Sequence, residues 1–313
     1  MSDYIKSPIF YMGNKYDLLY ELLPRFPKEN EVETFIDLFG GSGTVSLNVP
    51  YKNIIYNELN DNIVNLFKMI KENKPEDIIS HIENRIKQFN LPTKTTDLRY
   101  VDKDVRDIEN ENYLNFRSFY NSQTEKSILD LYTLTFYSFC NCIRFNSKNE
   151  FNMPFGNRCL LNIHKQQIIK ASKKLQSHSI TVVNKNCFEI LEGITERNDK
   201  LFIYLDPPYT NTLAIYNEQR AFGGWTIEDD YKLFAELDRL HELGVKWCMS
   251  NVLENKGKIN EHLEAWAKSK GYEIITFDDK TYSAFGTGNS NSKEVIIVNY
   301  ETPYKRFDIF DFL

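Results

Sequence analysis

Short apolar runs bounded by polar or glycine-rich turns alternate along this chain with stretches whose apolar residues recur at helical spacing. Thr34-Phe35-Ile36-Asp37-Leu38-Phe39 and Asn53-Ile54-Ile55-Tyr56-Asn57-Glu58 read as strands. Between them, Gly40-Gly41-Ser42-Gly43-Thr44 predicts a flexible turn that opens a short helix. After Asn60 the rhythm becomes helical, with Ile63, Leu66, Phe67 and Ile70 on one face. Residues 61–178 read as mostly helical and polar, with loops expected near Leu91-Pro92 and over 145–162. Strands resume at Ile180 to Val183, Leu201 to Asp206, Val245 to Asn251, Tyr272 to Phe277 and Glu294 to Asn299, with helices expected over 227–243 and 257–270. Leu201 to Leu205 is apolar at every position, as a strand buried on both faces requires. Strand–helix alternation broken by one long helical stretch predicts an α/β fold, a doubly wound Rossmann-like sheet with an inserted helical domain. The expected boundaries are 1–60 and 179–313 for the sheet domain and 61–178 for the insertion.

At 313 residues the chain is long enough for one large domain or a domain with an insertion. It has no apolar run of membrane-spanning length and no charged-then-apolar leader, so a soluble, cytoplasmic protein is expected. The five cysteines (Cys140, Cys142, Cys159, Cys187 and Cys248) lack zinc-site spacing and the histidines are scattered, which predicts buried free thiols and no metal. The formal net charge of −6 argues against nonspecific coating of DNA. The basic residues are nevertheless concentrated. Arg144, Lys148, Arg158, Lys165, Lys170, Lys173, Lys174 and Lys185 face a single acid, Glu150, over 144–185. Such a segment suits phosphate contact, and a solvated helix face is the plainer alternative.

Candidate chemistry concentrates at predicted strand ends. Asp206-Pro207-Pro208-Tyr209 follows the most apolar strand, where α/β proteins build their sites. Two prolines stiffen the backbone and remove two N–H donors. A carboxylate and a fixed carbonyl beside an aromatic face suit a planar amino-bearing ring such as a nucleobase; an isolated tetrapeptide of this kind is equally a strand-ending turn. Glycines at 40, 41 and 43 let backbone approach a ligand, but the spacing fits neither the full dinucleotide fingerprint nor a P-loop. Glu58, ending the next strand, suits ribose hydroxyls, and Asp37 suits a ligand ammonium. This combination fits S-adenosylmethionine better than NAD, which needs a pyrophosphate cradle. Tyr11, Gly13 and Lys15 precede the first strand, where the lysine is placed to meet a cofactor carboxylate; an amphipathic helix start is the alternative.

Five motifs in order resemble the Dam-like (D12 class) DNA adenine-N6 methyltransferases. They are Tyr11-Met12-Gly13-Asn14-Lys15, Asp37-Leu38-Phe39-Gly40-Gly41-Ser42-Gly43, Glu58, the Arg144-Phe145-Asn146 to Glu150-Phe151-Asn152-Met153-Pro154-Phe155-Gly156 segment, and Asp206-Pro207-Pro208-Tyr209. The resemblance covers nearly the whole chain. It implies that S-adenosylmethionine is bound by Tyr11, Lys15, Asp37, Phe39, Gly41, Gly43, Glu58 and Phe188, with Asp206 adjoining. It implies that the insertion reads double-stranded DNA through Arg144, Asn146, Asn152, Pro154 and Arg158, and that Asp206, Pro207 and Tyr209 hold the target adenine. Two positions depart from the pattern: Asn14 stands where a second glycine is common, and Cys187 where an acid usually reads the cofactor's amino group. The 144–156 segment resembles methylases acting on GATC. A restriction–modification or orphan role follows, with any cognate endonuclease acting separately and no membrane involved.

The chemistry expected is direct transfer. Asp206 and the Pro207 carbonyl accept the two N–H bonds of the adenine amine and aim its lone pair at the sulfonium methyl. The base must leave the duplex to be reached, and Tyr209 is its stacking platform. A mobile loop is expected from Thr210 to Trp225, and a wedge into the duplex from Asn152 to Gly156. The competing readings are cytosine-N4 methylation and a noncatalytic nucleic-acid-binding module that keeps the fold.

Overall fold

The computed structural model describes residues 4–95, 102–210, 224–255, 257–277 and 292–303. The expected mobile loop falls mainly on 211–223, outside the described residues. In chain order the elements are α1 (Leu19–Leu22), β1 (Thr34–Asp37), β2 (Asn53–Asn57), α2 (Asp61–Glu72), α3 (Pro75–Gln88), α4 (Lys103–Ser122), α5 (Ile128–Thr135), α6 (Asn162–Ser177), β3 (Ser179–Val183), α7 (Cys187–Glu192), β4 (Leu201–Leu205), α8 (Ile227–Glu242), β5 (Lys246–Asn255), β6 (Lys258–Ile259), α9 (Glu261–Lys270), β7 (Glu273–Thr276) and β8 (Ser292–Val298). They fall into two compact units. One comprises residues 1–14, 41–47 and 60–178, and the other 15–40, 48–59 and 179–313.

The second unit is built on one mostly parallel sheet in the order β3-β2-β1-β4-β5-β8-β7, with the short β6 paired to the end of β5. β1 to β5 run parallel, and β8 is antiparallel to both β5 and β7. This is a Rossmann-like α/β sheet. The uninterrupted apolarity of β4 has a direct cause: its alternate residues serve two different layers. Ile203 and Leu205 join Ile36, Leu191, Leu233, Leu237, Trp247 and Leu263 under α7, α8 and α9. Phe202 and Tyr204 point the other way into an aromatic layer with Phe26, Phe35, Tyr51 and Tyr300. Trp247 is fully buried, and its indole N–H donates to the Leu237 carbonyl at 3.0 Å, so the one polar atom of the ring is satisfied. Truncating such a residue costs about 3–5 kcal/mol.

The other unit packs α2 to α6 around Leu66, Phe67, Ile70, Ile78, Phe116, Leu131 and Ile168, all buried. Three of its helices, α2, α4 and α5, start on side-chain caps: Asn60 accepts from Asn62 N–H, Asp102 from Asp104 N–H and Ser127 from Asp130 N–H. The N-terminal segment is part of this unit. Tyr132 donates to the Pro8 carbonyl at 3.0 Å, and Phe10 packs edge-on against Phe136.

Three expectations are corrected. Residues 41–47 do not open a regular helix; they form successive turns that include a helix-type bond, Leu47 N–H to the Gly43 carbonyl at 2.9 Å. Gly41 and Gly43 sit at φ +49° and +73°, outside the right-handed helical region. The last helix begins at Glu261, because Gly257 (φ +78°) turns the chain into β6 against Glu254 and Asn255. The thiols are free but not all buried: Cys140 is exposed and Cys142 half-buried. No helix among the described residues is long and apolar enough to cross a membrane.

Candidate active site

Strand order in the sheet unit reverses at β1, whose neighbours are β2 and β4. Ligands of open α/β sheets bind beyond the carboxyl ends of strands at such a point. Asp37 closes β1, Glu58 follows β2 and Asp206 follows β4, so three of the expected acids meet that edge. Asp37 is 1 % exposed and Glu58 is 7 % exposed. Asn57, which sequence patterning did not single out, braces the edge. Its amide donates to the Leu38 carbonyl at 2.9 Å and the Lys185 carbonyl at 3.1 Å, while its side-chain oxygen accepts from Lys185 N–H at 3.0 Å. One side chain thereby fixes the ends of three strands. Gly40 N–H donates to the Asn57 carbonyl at 2.7 Å, and a β-carbon on Gly40 would enter the Tyr56 ring.

The tetrapeptide is held by side chains. Asp206 Oδ1 accepts the Tyr209 hydroxyl at 2.6 Å, and Oδ2 pairs with Lys15 Nζ at 2.7 Å. Lys15 Nζ also lies 5.4 Å from the centre of the Tyr209 ring. Lys15 is buried. Burial alone would lower its pKa, but Asp206, Glu294 and Tyr204 reverse the balance and hold the ammonium above its ordinary range. Burial pushes the Glu294 carboxyl up, with Lys15 opposing and Asp206 adding to the rise. Sequence reasoning expected Lys15 to meet a cofactor carboxylate; the structure gives it Asp206. Each carboxylate oxygen keeps a further lone pair for an incoming donor.

An aromatic group lies in the same unit. Phe188 runs nearly parallel to Trp225 (10°, centroids 6.0 Å apart), and Phe39 meets Trp225 edge-on at 5.7 Å. Lys232 Nζ stands 4.1 Å from the Phe188 ring centre. Trp225 was not expected as a site residue. Its only sequence signal was a place near the end of a polar, glycine-containing stretch. Cys187 is buried, and that burial pushes its thiol up to about 12, so it stays neutral and supplies no charge in place of the usual acid. Asn186 caps α7 by accepting from Phe188 N–H at 2.9 Å.

In the helical unit, Tyr11 packs on Gly41, where an added β-carbon would meet its ring at 3.0 Å. A β-carbon on Gly43 would enter the Phe67 ring. The expected DNA-contacting residues form a hairpin-like loop. Phe145 bridges Phe151, Asn146 N–H donates to the Glu150 carbonyl at 2.9 Å, and Asn152 N–H donates to the Arg144 carbonyl at 3.0 Å. Arg144 Nε donates to the Asn152 side chain at 2.8 Å, and Arg158 donates to Asn141 at 3.0 Å. Of the loop expected to act as a wedge, Pro154 is exposed. Met153 is buried, and its carbonyl accepts from Tyr113 and Arg117, both at 2.9 Å. Phe139, not singled out from sequence, is 55 % exposed in this unit. Lys165 is paired with Glu83 at 2.6 Å.

These motifs agree with what similarity to known proteins shows. A family model described as D12 class N6 adenine-specific DNA methyltransferase matches residues 11–282. The chain belongs to this family. It is 36 % identical over 312 residues to modification methylase StsI of Streptococcus sanguinis, covering 98 % of this chain and 44 % of that protein. It is 34 % identical over 303 residues to the type II methyltransferase M.FokI of Planomicrobium okeanokoites, covering 96 % and 43 %. DNA adenine methylase of Escherichia coli K12 is 24 % identical over 245 residues, covering 77 % and 78 %. The chain therefore spans less than half the length of the first two curated relatives. Membership of the D12 class accounts for the order of the motifs from Tyr11 to Tyr209.

Proposed function

We propose that this chain transfers a methyl group from S-adenosylmethionine to the N6 amine of an adenine in double-stranded DNA. The observation that carries the reading is the Asp206 carboxylate, fixed by Lys15 and Tyr209 directly after β4 on the family's tetrapeptide. The residues fit the cofactor. Buried Asp37 and Glu58 suit its ammonium and ribose, Phe39 and Phe188 offer apolar faces, and family resemblance adds Tyr11, Lys15, Gly41 and Gly43. When bound, S-adenosylmethionine supplies an electrophilic methyl on a sulfonium.

The chain's own part is positional. Asp206 and the Pro207 carbonyl each accept one N–H bond of the target amine, drawing its nitrogen toward tetrahedral geometry. With the cofactor bound, that nitrogen would take the sulfonium methyl as the sulfur–methyl bond breaks, and the surplus proton would leave the nitrogen toward the Asp206 side. Tyr209, oriented by its bond to Asp206, stacks on the extruded base, a contact worth about 1–3 kcal/mol. Arg144, Asn146, Asn152, Pro154 and Arg158 are proposed to contact DNA, with amide and guanidinium groups on base edges and nearby lysines on phosphates. GATC is the finer proposal for the target. The names of StsI and M.FokI, a modification methylase and a type II methyltransferase, favour a restriction–modification setting with a separate endonuclease.

The test is transfer of labelled methyl from S-adenosylmethionine to unmethylated bacterial genomic DNA, followed by digestion to nucleosides. Label in N6-methyl-2′-deoxyadenosine is expected. Label in N4-methyl-2′-deoxycytidine, or none in DNA, contradicts the proposal.

A further inference from the structure

Asp230, in the first turn of α8, is 2 % exposed and has no part in the chemistry above. Its Oδ1 accepts the Trp225 indole N–H at 2.7 Å. Its Oδ2 accepts the Thr210 hydroxyl at 2.9 Å and lies 2.9 Å from His262 Nε2. Burying a carboxylate is costly unless donors surround it, and these three donors together with the helix N-terminus provide that. Capping of α8 does not require Asp230, because Thr226 and Asp229 already form a reciprocal capping box. Its two neutral donors lead in different directions. Thr210 directly follows Tyr209 of the tetrapeptide. Trp225 lies against Phe188 and Phe39.

We propose that Asp230 is a positioning residue that couples the cofactor's aromatic wall to the base-holding tetrapeptide, by anchoring Trp225 and Thr210 on one carboxylate. The proposal rests on the methyl-transfer reading above. It assigns Trp225 to the cofactor's surroundings and makes the coupling reciprocal: a ligand that orders Trp225 against Phe188 also restrains Thr210 and, through it, Tyr209. His262 holds the same carboxylate from α9, so the anchor is set by two helices.

Three variants separate the limbs. Trp225→Phe keeps a ring and loses the N–H, Thr210→Val keeps the shape and loses the hydroxyl, and Asp230→Ala removes both bonds. Calorimetry on the full chain gives the dissociation constant for S-adenosylmethionine, and labelled transfer to unmethylated genomic DNA gives kcat. Asp230→Ala and Trp225→Phe should each weaken cofactor binding about tenfold, and the double variant should be no weaker than Asp230→Ala alone. Thr210→Val should lower kcat about tenfold, leave the cofactor constant unchanged in the absence of DNA, and lose the tightening of that constant by DNA that reciprocal coupling gives the wild-type chain. Independent, additive losses from Asp230→Ala and Trp225→Phe would overturn the proposal. So would variants that melt at lower temperature with both constants intact. If Asp230→Ala does not fold, the opposite signatures of Trp225→Phe and Thr210→Val decide. A wild-type chain that transfers no methyl to DNA defeats the wider reading instead, and the cofactor constants still judge Asp230.

Discussion

Asp206 is surrounded by groups that fix it rather than free it. Lys15 holds one oxygen and Tyr209 the other, so the carboxylate is already oriented; in the proposed reaction the target amine donates to a remaining lone pair on each acceptor. The Tyr209 hydroxyl therefore has a role separable from its ring. Tyr209→Phe should keep the stacking face, leave the S-adenosylmethionine dissociation constant unchanged and slow single-turnover methyl transfer about tenfold. An unchanged transfer rate would show that the hydroxyl does not position Asp206. The tetrapeptide, the glycine turn and Glu58 were legible because each is a local pattern at a strand end. Lys15 against Asp206, and Trp225 and Thr210 on Asp230, were not. Those contacts join residues far apart in the chain, and only the folded sheet brings them together.

Strands were legible where burial is two-sided, as in Leu201 to Leu205, or where polar residues bound a short apolar run, as in Asn53 to Asn57. Elements set by glycine conformation were misjudged. Residues 41–47 looked like a helix start and Gly257 like the first residue of the last helix, yet positive φ at Gly41, Gly43 and Gly257 stops a helix at each. Asp130 of α5 was not visible as an organiser of the helical unit, because its partners come from other helices. It is fully buried and accepts from His81, Arg85 and Gln123. Burial alone would push its carboxyl up, but these hydrogen bonds, reinforced by the Arg85 charge, bring it down to about 2 from an ordinary 3.8. A carboxylate depressed in the folded state stabilises above its unfolded pKa, and that stabilisation is lost as pH falls through the folded pKa. Here the window runs from about pH 4 down to about pH 2, and the contribution at neutral pH is about 2 kcal/mol. Asp130→Asn should lower stability to denaturant at pH 7 by about 2–4 kcal/mol, with the deficit shrinking below pH 4. Equal stability of the two proteins at pH 7 would contradict this account of the network.

Over the whole molecule, a formal charge of −6 coexists with a basic run on α6 and its flanks. Sequence alone weighed the lysines over 165–174 alike, whereas folding separates them: Lys165 is paired with Glu83, while Lys170 and Lys173 are exposed on α6. Replacing Lys170 and Lys173 with glutamine should weaken binding to duplex DNA of any sequence and reduce the salt dependence by about 0.9 per lost phosphate contact. An unchanged salt slope would place the phosphate path elsewhere. The helical run over 61–178 was legible from periodicity, but the packing of residues 41–47 and 4–14 with that unit was not, since nothing local marks it. The central claim is that Asp206 serves methylation of adenine in DNA. It is tested most directly by sequencing modified bases in DNA from methylation-deficient cells expressing either the wild-type chain or Asp206→Ala. N6-methyladenine confined to one sequence context with the wild type, and absent with a folded Asp206→Ala protein that still binds S-adenosylmethionine, is the predicted result. Adenine methylation persisting with Asp206→Ala, or methylation only of cytosine with the wild type, would contradict it.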